Sequence, residues 1–185
     1  MFTVLFRWEI TGLENIPLNG GVIIAANHIS LWDPPVIGTP SPRPVYFMAK
    51  KELFNIPVLG WIIRKLNSFP VRRGIADRTA IRTAIELLNQ GKIVGIFPEG
   101  TRSRTGKLGN PAPGVALIAA KAGAPIIPAA VIGTNRVFSH GCFLPQFRVK
   151  FGQPIYAAAG KVDKEMLEDL STRMMEAISR LLEEG

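Results

Sequence analysis

Apolar residues fall in short blocks separated by glycine, proline and small polar residues. Val22 to Ala26 is a β-branched-rich run that reads as a short buried strand, and the apolar runs Val45 to Met48, Lys92 to Phe97 and Ile126 to Ile132 read as further strands. Residues 2 to 10 and Phe147 to Phe151 alternate and add two further strands, with Gly12 to Gly21 supplying turn residues. Helical spacing appears elsewhere. Asp77 to Asn89 places Ala80, Ile81, Ala84, Ile85, Leu87 and Leu88 on one side and stops at Gly91, while Gly114 to Lys121 is a small-residue helix able to approach a sheet closely. Asp163 to Glu183 carries the stripe Met166, Leu167, Leu170, Met174, Ala177, Ile178, Leu181, which reads as packing. Leu53 to Leu66, interrupted by Pro57 and Gly60, predicts short helical pieces. Strands alternating with helices argue an α/β sandwich with a mostly parallel central sheet, and no linker or repeat divides residues 1–185 into more than one domain.

Two polar loops interrupt this pattern directly after strands. The first, Ala25-Ala26-Asn27-His28-Ile29-Ser30-Leu31-Trp32-Asp33-Pro34-Pro35, runs from a strand end into a helix start, with Asp33 suited to the N-cap and Pro34 to the first helical position. Five residues along a regular helix would leave His28 and Asp33 on different faces. An irregular turn can bring them together, with one ring nitrogen held by the carboxylate and the other left as a base. Taken alone, such a pair is more simply a helix cap and a satisfied core histidine. The second loop, Phe97-Pro98-Glu99-Gly100-Thr101-Arg102-Ser103-Arg104, also follows a strand and also gathers charge. Strand-end loops of an α/β sheet converge, so the two predict a shared site.

Asn27-His28 with Asp33 after four intervening residues, Phe69-Pro70-Val71-Arg72-Arg73, the Phe97 to Ser103 block and Pro125-Ile126-Ile127-Pro128 together resemble the ordered motifs of the glycerolipid acyltransferase family, and within it the bacterial 1-acyl-glycerol-3-phosphate acyltransferases. The resemblance covers about residues 10–135. It implies an enzyme moving a fatty acyl group from acyl-CoA or acyl carrier protein to the sn-2 hydroxyl of 1-acyl-glycerol 3-phosphate, giving phosphatidic acid. On that reading His28 is the base and Asp33 its orienting partner, the logic of a serine hydrolase triad with the substrate alcohol in place of serine. Lys50 lies near the developing oxyanion, with Lys51 an equal candidate to point inward. Arg73, Glu99, Gly100, Thr101 and Arg102 bind the glycerol phosphate, Arg102 because a guanidinium grips phosphate oxygens bidentately. Glu99 and Arg102 could instead pair as a loop staple, and Arg72 could be a solvated charge. Pro125 and Pro128 are expected in the wall of the acyl site. One departure is Ala112, where related sequences often carry lysine.

Composition narrows this only in part. The 185 residues are 47% hydrophobic and 19% charged, which excludes a disordered chain. The net charge of +8 calls for an acidic partner: a phosphorylated substrate, an anionic membrane or nucleic acid. No apolar run approaches the ~20 residues that span a bilayer, a departure from family members that often carry an N-terminal hydrophobic anchor, so the expectation is either attachment at the cytoplasmic face through the protein surface or a native anchor that precedes this sequence. The apolar stretch Leu53 to Leu66 is the candidate for that contact, or else core, or the wall of an acyl tunnel. Cys142 is the single cysteine, and with His140 it reads as a loop residue rather than a dyad for want of an orienting group. Scattered histidines and one cysteine predict no metal, and no cofactor is expected beyond the acyl donor. The rival reading is a non-catalytic basic module for lipid or nucleic acid, though no nucleic-acid motif is present. Another acceptor, glycerol 3-phosphate or a different lysolipid, also fits the chemistry.

Overall fold

The computed structural model describes residues 8–72, 77–103, 105–137, 146–158 and 160–184. Its centre is a seven-stranded sheet in the order β1-β7-β6-β2-β5-β3-β4. The strands are β1 (Trp8–Thr11), β2 (Val22–Ala26), β3 (Val45–Lys50), β4 (Phe69–Val71), β5 (Ile93–Ile96), β6 (Ile126–Ile132) and β7 (Phe147–Phe151). From β6 to β4 all neighbours are parallel, and only the β6–β7 pairing is antiparallel. The helices are α1 (Asp33–Gly38), α2 (Pro57–Lys65), α3 (Arg78–Asn89), α4 (Gly114–Ala122) and α5 (Lys164–Glu183).

The blocks of the sequence are accounted for by burial on both faces. Along β2, Ile23 and Ala25 join one core with α3, α4 and α5, while Val22, Ile24 and Ala26 join the other with α1. The α5 stripe enters the first core through Leu170, Met174 and Ile178, each fully buried and each stabilising by roughly 1.5–3 kcal/mol relative to exposure. Gly95 in β5 is fixed by a close approach: a Cβ there would meet the Phe47 ring at 2.3 Å. Phe47 in turn lies 6.0 Å from Phe97, which places an aromatic wall beneath the loop after β5.

Two expectations need correction. Asp33 does not act as an N-cap, because α1 begins with Asp33 itself and the cap position falls to Trp32. Its carboxylate is turned back to the amides of Ile29 and Ser30, at 2.7 and 2.8 Å, and so folds the loop rather than closing the helix. The strand β4 was not separated in the sequence pattern, since three residues with a central proline give no periodicity; it pairs at the sheet edge with β3. The predicted strand over residues 2 to 10 is seen as β1 from Trp8, its first part lying outside the described residues.

Candidate active site

Parallel strands deliver the ends of β2, β5, β3 and β4 to one edge of the sheet, the edge where ligands bind in open α/β folds. The loop after β2 makes a tight turn there. Asp33 is wholly buried, and both of its oxygens are occupied. Oδ2 accepts from His28 Nδ1 at 2.7 Å and from the Ile29 and Ser30 amides; Oδ1 accepts from the Thr134 hydroxyl at 2.5 Å. A carboxylate only accepts, so the neutral form of the imidazole carries its proton on Nδ1 and its lone pair on Nε2. The ring is buried and stacks on Phe97, with centroids 4.0 Å apart and planes at 16°. Asn27 ties the same loop to β6, donating to the Val131 carbonyl at 3.0 Å and accepting the Val131 amide at 2.8 Å.

The loop after β5 meets this turn directly. Glu99 accepts the His28 amide on Oε1 at 3.2 Å and the Gly109 amide on Oε2 at 2.9 Å, and the Ser103 amide donates to the His28 carbonyl at 2.8 Å. Gly100 turns the chain with φ 68°, and its amide closes on Phe97 O. Thr101 is exposed at the tip. Among the described residues no ion pair links Glu99 to Arg102, so the staple that the sequence left open is made instead by Glu99 with backbone amides.

A cavity of about 780 Å³ opens beside His28. Its walls are mostly apolar, from Phe47 and Phe97 on the sheet side to Leu59, Ile62 and Ile63 of α2, and Arg102 and Lys50 are its cationic residues together with Lys65. Lys50 is 47% exposed at its side chain and 3.8 Å from Glu52. Lys51 does not line the cavity, nor do Pro125 and Pro128. Pro125 precedes β6 and Pro128 lies within it, with carbonyls bonded to the Ile23 and Gly152 amides, so the expected place in an acyl wall is corrected to a place in the sheet. Arg72 is exposed, and its amide and Nε approach Asp77 at 2.8 and 3.5 Å. Arg73, His140 and Cys142 lie outside the described residues. Ala112 donates its amide to Pro98 O.

Thr134 escaped the sequence reading. It follows β6, 101 residues from Asp33, and no local pattern links the two; the only signal was that Gly133-Thr134 ends a strand neighbouring β2. No group of three His, Cys, Asp or Glu side chains suited to a metal occurs among the described residues. Nor is any described helix long and apolar enough to cross a membrane.

A basic nitrogen beside an apolar cavity, with an arginine on the same wall, can activate an alcohol whose substituents are a hydrocarbon chain and an anion. Comparison with known proteins agrees with that chemistry. The family model described as Acyltransferase matches residues 7–132. A Bacillus subtilis 1-acyl-sn-glycerol-3-phosphate acyltransferase is 34% identical over 94% of this chain and 87% of its own length. The chloroplastic enzyme BAT2 of Brassica napus is 32% identical over 83% of the chain, which spans only 46% of that relative. The crystal structure of the 1-acyl-sn-glycerophosphate acyltransferase PlsC from Thermotoga maritima superposes with a TM-score of 0.73 at 32% identity, over 96% of this chain and 71% of that one. With a family model matched over residues 7–132 and relatives at 32–34% identity, the chain belongs to the acyltransferase family.

Proposed function

We propose that the protein transfers a fatty acyl group from acyl-CoA or acyl carrier protein to the sn-2 hydroxyl of 1-acyl-glycerol 3-phosphate, forming phosphatidic acid. The observation that carries this reading is the buried His28–Asp33 pair at 2.7 Å on the wall of an apolar cavity that Arg102 also lines. The relatives named above share the reaction in their names.

In this mechanism Nε2 of His28 takes the proton of the acceptor hydroxyl as its oxygen attacks the thioester carbonyl. Asp33 stabilises the imidazolium that forms. The attack forms the ester C–O bond, and collapse of the tetrahedral intermediate re-forms the carbonyl, breaks the C–S bond and returns the proton from His28 to the departing thiolate. No acyl-enzyme is needed. Lys50 supports the oxyanion, and Arg102 holds the phosphate, with Arg73 as a second cation. Gly100 and Thr101 shape the loop around the headgroup. Glu99 acts by holding the His28 and Gly109 amides, which fixes the phosphate loop against the base.

The bilayer that carries the lysolipid is the remaining partner. The protein works at the cytoplasmic face as a peripheral enzyme, and its net charge of +8 suits the anionic lipid there. The test is direct: purified protein with lysophosphatidic acid in mixed vesicles and an acyl thioester should release free thiol and form phosphatidic acid. Thiol release no greater than that of a His28→Ala control would remove the reading. Glycerol 3-phosphate and other lysolipids in parallel assays decide the acceptor.

A further inference from the structure

Asp33 has two oxygens, and they are supplied unequally. Oδ2 collects three donors, all from its own loop: the His28 ring and the Ile29 and Ser30 amides. Oδ1 has one hydrogen-bond partner among the described residues, the hydroxyl of Thr134 at 2.5 Å, delivered by the turn after β6. Both residues are 0% exposed, so water does not replace that donor. A buried carboxylate oxygen without a donor is costly and relieves itself by rotating about χ2 or moving towards another donor. Either motion changes the plane that Asp33 presents to His28 Nδ1. Thr134 is itself fixed, because Gly133, with φ 91°, turns the chain at the strand end and the Arg136 amide closes back on Gly133 O.

We propose that Thr134 is a positioning residue for acyl transfer, holding Asp33 Oδ1 so that Oδ2 keeps the His28 imidazole in the Nδ1-protonated form aimed for base catalysis. This rests on His28 being the base. Thr134 touches neither substrate, so it acts on turnover through Asp33 and leaves substrate affinity unchanged. It also explains why the end of β6 belongs to the site although its residues stand outside the large cavity. Asn27 anchors His28's loop to Val131 of β6, and three residues later the same chain anchors Asp33.

The experiment compares Thr134→Val, which keeps the shape and removes the hydroxyl, with Thr134→Ser, which keeps the hydroxyl. Two readouts are taken. The first needs no activity: the imidazole ¹⁵N and ring-proton spectrum of His28, readily assigned because the chain has only two histidines. Thr134→Val should move the Nδ1 proton signal upfield as the carboxylate turns from the ring, and Thr134→Ser should keep the wild-type position. The second is steady-state kinetics, where Thr134→Val should lower kcat by ~10–100-fold with both KM values within about twofold, and Thr134→Ser should restore most of the rate. In an Asp33→Asn background the valine substitution should cost less than about threefold, since the hydroxyl works only through that carboxylate. An unchanged His28 spectrum in Thr134→Val overturns the proposal, as does an undiminished kcat or an equal loss on the Asp33→Asn background. Should wild-type protein turn over no lysolipid, the proposed function falls while the His28 spectrum still decides the role of Thr134.

Discussion

In the proposed mechanism, removing the imidazole of His28 takes away proton transfer while leaving the cavity and Arg102 in place. His28→Ala should therefore lower kcat by ~10²–10⁴-fold with the fold intact, which turnover assays and thermal melts on the same preparation will check. Asp33→Asn should lose turnover as well, because the amide can present a donor to Nδ1 and so favour the wrong tautomer. Arg102 differs in kind. It stands at the cavity wall partly in water, so the proposed phosphate contact should fall at the lower end of charge-assisted bonds, near ~1.5 kcal/mol. Arg102→Ala should raise the acceptor KM about tenfold and leave the donor KM unmoved; an unaltered acceptor KM would place the phosphate elsewhere. The His28–Asp33 pair was legible only together with the second loop and the motif resemblance, because its spacing alone fits a helix cap and a satisfied core histidine at least as well. Glu99 was legible as a site residue but not in its contacts. Which backbone amides meet a carboxylate depends on how two loops dock, and no spacing along the chain encodes that. Thr134 was illegible for the same reason, with a partner 101 positions away.

Helix α3 shows how a single side chain can close an element and a loop together. Asp77 caps it, accepting from the Thr79 and Ala80 amides at 3.1 and 3.3 Å, and also takes the Arg72 amide at 2.8 Å. One carboxylate thus joins the end of β4 to the start of α3 across the segment that contains Arg73. The Arg72 amide is the main reason its pKa is lowered, with the Thr79 and Ala80 amides and the Arg72 charge adding to it against the opposing effect of burial. A lowered folded pKa means that the stabilisation is complete above the unfolded value of ~3.9 and is lost as pH falls through that value towards the folded one. Asp77→Ala should cost about 1–2 kcal/mol near neutral pH. Asp77→Asn should cost less and should flatten the acid limb of stability, which denaturant melts across acidic pH will measure; an acid limb identical to wild type would assign the pH sensitivity to other groups. At this scale the sequence was most readable where burial is complete. The boundaries of β6 coincide with its apolar run because it is buried on both faces up to Ile132, and β7 is legible for a different reason, the alternation of buried Phe147, Val149 and Phe151 with half-buried Arg148 and Lys150. It was least readable at β4 and at α2, where a proline masks a strand and a helix is apolar on nearly every side.

That helix sets a problem for the molecule as a whole. Val58 is 72% exposed and Trp61 62%, and Ile56 is also open to solvent, while the opposite side of α2, through Leu59, Ile62 and Ile63, lines the cavity together with the following Leu66. Leu31 and Trp32, exposed on the loop before α1, share the same cavity. Apolar surface of this extent is uncommon on a protein that stays in water. Its neighbours are cationic: Lys51, Lys65 and Arg64, the last stacked 5.4 Å over Phe54 with its charge at the surface. An apolar rim with basic flanks around a cavity fits insertion into the headgroup boundary of an anionic bilayer, so that a lysolipid passes from the membrane to His28 without crossing water. Charge alone would give binding that vanishes at 1 M salt, where the screening length is ~3 Å. Inserted side chains leave a salt-resistant part. Val58→Ser combined with Trp61→Ala changes residues that do not line the cavity, so turnover of a detergent-dispersed acceptor should persist. Sedimentation with anionic vesicles at high salt should show binding by the wild type that falls by roughly tenfold or more in the double variant, given ~1.5–3 kcal/mol for each large apolar side chain withdrawn from lipid. Equal high-salt binding by the two proteins would mean that the membrane meets another face and that the open side of α2 stays in water.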